Sequence, residues 1–88
     1  MLKMITWEGD LTQFLVEAED NDAAIQKAIK ANEDIWSDHG GFDSDEAAAD
    51  TYDTSTYTVD DVDILLLNEI FGRKDYGGMY GDTIVFWN

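Results

Sequence analysis

A chain of 88 residues with 20 acidic and 5 basic side chains, net charge −15, makes one domain, and its sign disfavours direct binding to DNA, RNA or an anionic membrane. It has no Cys, which excludes disulfides and thiolate metal sites. Its 44% apolar content, with 3 Trp, 4 Tyr and 4 Phe, argues against the disorder that high charge alone would suggest.

Residues 1–8 alternate around Ile5 and Trp7 and predict a strand. Gly9-Asp10 suits a two-residue hairpin turn with Gly first. Residues 11–18 (LTQFLVEA) are the return strand, with Phe14, Val16 and Ala18 on one face. Asp20 or Asn21 can cap a helix running to about Trp36. Its core stripe is Ile25, Ala28, Ile29, Asn32, Ile35 and Trp36, apolar except at Asn32. Residues 37–50 read as a loop that Gly40-Gly41 opens and in which Glu46 and the three alanines after it offer one helical turn. The Thr- and Tyr-rich residues 51–57 suit a third strand.

A second helix is predicted from Thr58 to Gly72. Thr58 and Asp61 form a T-x-x-D capping box, Tyr57 and Val62 supply a hydrophobic staple, and Gly72 stands ready as the C-terminal stop. A buried strand over residues 62–67 is the alternative. Residues 75–82 hold Gly77, Gly78 and Gly81 and read as a loop, and TIVFW at 83–87 is a final strand. The expected fold is α+β: a sheet of three to four strands in the order β-β-α-β-α-β, with both helices on one face. No signal peptide or membrane span is visible, so a soluble protein of the cytoplasm is expected.

The chain is organised around residues 31–72, which hold no Lys or Arg. They carry twelve acids, Glu33, Asp34, Asp38, Asp43, Asp45, Glu46, Asp50, Asp53, Asp60, Asp61, Asp63 and Glu69. Asp43-Ser44-Asp45 begins like a calcium loop, but Ala47, Ala48 and Thr54 stand where the third ligand, the Gly and the closing Glu belong. The carboxylate groups Asp43 with Asp45, and Asp60 and Asp61 with Asp63, would do acid–base work only in a cleft that separates their pKa values. His39, the single histidine, could join Ser37 or Ser44 only if the fold assembled a triad. The glycines at 77, 78 and 81 lack the Lys of a phosphate loop. Tyr76 and Tyr80 have only Arg73 and Lys74 as basic neighbours, too few for a nucleic-acid platform. No catalytic motif, metal or cofactor is expected.

What remains is a geometry of charge. Side chains at i and i+2 of a strand lie about 6.6 Å apart, and those at i and i+4 of a helix about 6 Å. Phosphates along a nucleic-acid strand are spaced by a similar step. Glu33, Asp34 and Asp38 at a helix end, Asp43, Asp45, Glu46, Asp50 and Asp53 in the loop, and Asp60, Asp61 and Asp63 at a helix start could together imitate a phosphate ladder. Trp36, Phe42, Tyr52 and Tyr57 would supply apolar anchors. A basic groove built for nucleic acid would attract such a ladder.

The chain size and this base-free run resemble small acidic phage-encoded inhibitors of nucleic-acid-binding host proteins, namely anti-CRISPR and DNA-mimic antirestriction proteins. The opening QFLVEAEDNDAAIQKAIK is also similar to the hairpin–helix start of many small phage and mobile-element proteins. The resemblance implies an inhibitor, not an enzyme, acting in the host cytoplasm. The implied partner is a basic, nucleic-acid-binding host protein such as a Cas effector. An acidic interaction or assembly module with another basic partner is the alternative reading, and a halophile-type solvation surface is a third. The Tyr and Trp content is compatible with a homodimer.

Overall fold

β1 (Leu2–Trp7) and β2 (Gln13–Glu17) pair antiparallel, as the N-terminal alternation predicts. The computed structural model describes residues 1–63 and 75–87. The hairpin connection runs through residues 8–11 rather than through Gly9-Asp10 alone. Trp7 N–H donates to Thr12 O at 3.0 Å, and Leu11 N–H to Trp7 O at 2.9 Å. The left-handed residue is therefore Leu11 (φ 64°), not Gly9. Gly9 serves a different need: a Cβ there would lie 2.5 Å from the Trp7 ring.

α1 (Asn21–Asp38) begins at Asp20, whose carboxylate accepts from Ala23 N–H at 2.8 Å. It ends in a Schellman motif. Gly41 N–H reaches Trp36 O (2.8 Å), Gly40 N–H reaches Ser37 O (3.2 Å), and Gly40 takes φ 93°. Its sheet-facing side buries Ala24, Ala28, Ala31, Asn32 and Ile35, so small residues set much of the contact. Ile25 and Trp36, placed in the predicted stripe, lie at its margins and are half-buried.

The largest departure from expectation lies between residues 43 and 61. α2 spans Asp45–Tyr52, a 3-10 turn spans Thr54–Thr56, and β3 spans Tyr57–Asp61. The strand expected over 51–57 is thus mostly helix and turn: Ser44 caps α2 by accepting from Ala47 N–H at 3.0 Å, and the alanines at 47–49 are strong helix formers. The capping box at Thr58 goes unused. β3 pairs with β1 from Trp7↔Tyr57 to Lys3↔Asp61, and pairing of a Thr/Val-containing run outweighs a local cap signal. The predicted helix over residues 58–72 is therefore corrected over Thr58–Asp61; residues 64–74 lie outside the described residues.

The loop expected at 75–82 is also corrected. β4 (Asp75–Tyr80) pairs with β5 (Thr83–Trp87), with a register shift between Tyr76 and Gly78. Gly77 fits because the Trp87 ring occupies the place of its missing Cβ, at 2.5 Å. The result is α+β as expected, with five antiparallel strands among the described residues instead of three to four, in the order β3-β1-β2-β5-β4. Both edges are blunted: β3 carries Asp60 and Asp61, and β4 carries the bulge.

Ile5, Phe14, Val16 and Val85 form the core beneath α1, while Met4, Leu15 and Phe86 are buried on the opposite face with Leu2, Val62 and Ile84 against them. No helix among the described residues is long and apolar enough to cross a membrane. One polar chain crosses the core. Asn32 Nδ2 donates to the Tyr57 hydroxyl (3.0 Å), which donates to Thr51 O (2.6 Å). This bridge ties α1, β3 and α2 together, and burial pushes the Tyr57 hydroxyl up to about 12.

Two outcomes follow from these contacts. Gly9→Ala should destabilise the domain by about 1–3 kcal/mol, read from the urea midpoint, because the Trp7 ring has to move. An unfolded Tyr57 ionises near the ordinary value of about 10, whereas the folded residue holds its proton to about 12. Its contribution should be complete below pH 10 and be lost as pH rises through about 12. An ultraviolet titration should show one tyrosine ionising only as pH approaches about 12; four tyrosines titrating together near the ordinary value in the folded protein would contradict this.

Candidate functional site

The acidic run does not form one continuous ladder. Glu33 and Asp34, half-buried on α1, take up Lys30, whose Nζ lies 3.3 Å from Glu33 Oε1 and 3.2 Å from Asp34 Oδ1. The Tyr52 hydroxyl also donates to Glu33 Oε2 at 2.7 Å. Tyr52 first, then Lys30, hold the Glu33 carboxyl below the usual carboxylate range. Asp38, the last residue of α1, meets the Tyr80 hydroxyl. Asp61 pairs with buried Lys3 at 2.7 Å, while Asp60, its neighbour in β3, points to the other face. Asp63 follows that strand. Asp60 and Asp61 thus sit on a sheet edge, not at a helix start.

The three described lysines are all engaged by acids outside α2. Lys3 holds Asp61, Lys27 holds Asp82 at 2.9 Å, and Lys30 holds Glu33 and Asp34. Asp43, Asp45, Glu46, Asp50 and Asp60 have no hydrogen bond or ion pair through their carboxylates among the described residues. Four of these five fall between residues 43 and 50, in α2 and the loop leading into it. Asp45 and Glu46 occupy the first turn of α2, where the helix dipole favours negative charge. Glu46 and Asp50 stand one turn apart, about 6 Å. Asp53 ends the helix, and its carboxylate accepts from Ser55 N–H (2.9 Å) and Ser55 Oγ (2.7 Å), which hold it below the usual carboxylate range.

α2 has only 8 residues, too few to be stable alone. It is held from beneath. Thr51 O accepts from Tyr57, and the Thr56 hydroxyl lies 2.8 Å from Asp50 O and 2.7 Å from Asp53 O. Trp7 Nε1 in turn donates to Thr56 Oγ1 at 3.1 Å. From the outer side, Phe42 packs between Trp36 and Tyr52, with ring centroids 5.9 and 5.7 Å apart. Of the four predicted anchors, Tyr57 is core, Trp36 and Phe42 are half-buried, and Tyr52 is 48% exposed.

Two adjoining clefts open beside this helix, and both are lined by Asp10 and Trp36. The larger, about 510 Å³, is completed by Thr12, Asn32, Ile35, His39, Asp43 and Trp87. The smaller adds Glu46 and Asp50 to Trp7, Gly9, Ser44 and Ala47. Among the described residues neither wall includes a Lys or Arg. Asp10 and Trp87 escape sequence reasoning because they lie far along the chain from the acidic run. Only the β1–β2 turn and the last strand bring them to the end of α1.

Several suggested chemistries are not assembled. His39 Nδ1 is 2.8 Å from Ile35 O, so the ring covers the helix end rather than activating a serine. Ser44 is committed to capping α2. No group of three or more acids or histidines is placed to hold a metal ion among the described residues. The chain matches no known protein family, no curated protein and no solved structure.

The dependence of the acidic helix on its cap is testable. Ser44→Ala should cost about 1 kcal/mol, and hydrogen exchange should quicken in residues 47–52 while the amides of β1 and β2 keep their protection. Uniform loss of protection across the sheet would show that α2 is not a separable unit.

Proposed function

We propose that this domain inhibits a nucleic-acid-binding protein by seating its acidic helix in that protein's basic groove in place of a polynucleotide. The observation that supports this reading is the division of labour among the acids. Glu33, Asp34 and Asp38 on α1 and Asp61 on β3 are spent on lysines and hydroxyls within the fold, whereas Asp43, Asp45, Glu46 and Asp50 have no described carboxylate partner and cluster on α2 and the loop leading into it. Unneutralised like charges oppose folding, so their concentration on a rigid helix favours a role in recognition. A spacing near 6 Å between Glu46 and Asp50 suits a surface evolved for successive phosphates. The basic channel that holds the heteroduplex in a CRISPR–Cas effector is a surface of the required kind.

Binding of this type is fast, salt-sensitive and competitive with nucleic acid. Host proteins retained on the immobilised domain at low salt should be released by excess DNA or RNA, and by salt. A variant carrying Asp43→Asn, Asp45→Asn, Glu46→Gln and Asp50→Asn should keep its circular dichroism spectrum and lose that retention at least tenfold. Retention that withstands excess nucleic acid, or that the fourfold variant preserves, would assign the domain to assembly with a partner of another kind.

A further inference from the structure

The larger cleft joins two features that the acidic run alone does not have: indole walls and a position off the helix. Trp36 and Trp87 line it together with the acidic residues Asp10 and Asp43. Asp10 is held in place because it accepts from Thr12 N–H (3.0 Å) and Thr12 Oγ1 (2.6 Å) through one oxygen, and its second oxygen has no hydrogen bond among the described residues. Asp43 is exposed and has no hydrogen bond or ion pair among the described residues. Trp87 is braced by Gly77, against which its ring lies. Among the described residues no basic side chain contributes to the wall. Buried Asn32 and Thr12 give the floor polar character.

We infer that this cleft receives an arginine side chain of the partner protein. Indoles attract cations through the ring quadrupole, and the planar guanidinium is the biological cation that stacks on aromatic rings and hydrogen-bonds carboxylates at the same time. Lysine lacks the planar face and keeps a tighter hydration shell. About 510 Å³ lies within the size range of ligand pockets, so the side chain and the adjoining main chain can both enter. The inference rests on the proposed function, since a groove built for phosphates is lined with arginines. It adds one specific anchor beside a diffuse charge match.

The test uses the isolated domain and N-acetyl-arginine methylamide. The three indole N–H signals in a nitrogen–proton correlation spectrum are the reporters, with Trp7 as internal control because its Nε1 is bound to Thr56 and it does not line this cleft. The Trp36 and Trp87 signals should shift saturably with the arginine amide, while Trp7 stays in place. Asp43→Asn should weaken binding about two- to five-fold, the range of an exposed ion pair. Asp45→Asn, which removes one charge outside the cleft, should leave it unchanged. Unmoved signals, equal shifts with sodium chloride at matched ionic strength, equal binding of the lysine amide, or equal loss in both variants would overturn the inference. Competition with nucleic acid plays no part in this measurement. A domain that competes with DNA yet ignores arginine would refute the cleft alone. One that binds arginine yet never competes would refute the groove reading alone.

Discussion

A single buried hydroxyl holds the acidic helix to the sheet. Tyr57 accepts from Asn32 on α1 and donates to a carbonyl of α2, so one side chain of β3 joins three elements. A buried hydroxyl or amide left without its partner costs on the order of 1–3 kcal/mol, and here three polar groups depend on one another. Trp7 adds a second link, its Nε1 donating to Thr56 Oγ1 and to the Asp50 carbonyl of α2. An 8-residue helix with acids in its first turn would not persist in water without these supports.

The same anchoring explains how a domain with a net charge of −15 remains folded. Its acids are not equivalent. Asp20 and Asp53 satisfy backbone N–H groups, Asp10 fixes a turn, and Asp61, Asp82, Glu33 and Asp34 neutralise lysines. Of the acids without a described carboxylate partner, Asp43, Asp45, Glu46 and Asp50 lie together near residues 43–50, where the dipole of α2 offsets part of their repulsion, while Glu8, Glu19, Asp22 and Asp60 stand apart from them in the chain.

Aromatic residues link the two parts. Trp36, Phe42 and Tyr52 continue from the core margin out to the exposed helix, and Trp36 lines both clefts that flank it. Its buried Nε1 has no hydrogen-bond partner among the described residues, an unusual condition for an indole N–H. Charge and apolar anchorage thus converge at the C-terminal end of α1, the combination that protein interfaces use for affinity.

Much of this was legible along the chain. The N-terminal hairpin, the cap at Asp20, the stop at Gly40-Gly41 and the strand TIVFW depend on local periodicity and backbone preference, which act within a few residues. The presence of a charged, base-free stretch is likewise a property of the sequence alone. Tertiary structure decided the rest. Thr58–Asp61 carries a good helix start yet becomes a strand because β1 offers it a ladder, and Asp75–Tyr80, rich in glycine, becomes one because β5 does. The first of those choices moved Asp60 and Asp61 away from the helical acids, while the β1–β2 turn and β5 bring Asp10 and Trp87 to the cleft that Asp43 lines. Hydrogen bonding between distant strands overrides local propensity because it satisfies whole rows of backbone groups at once, and no single stretch of sequence encodes its own neighbour.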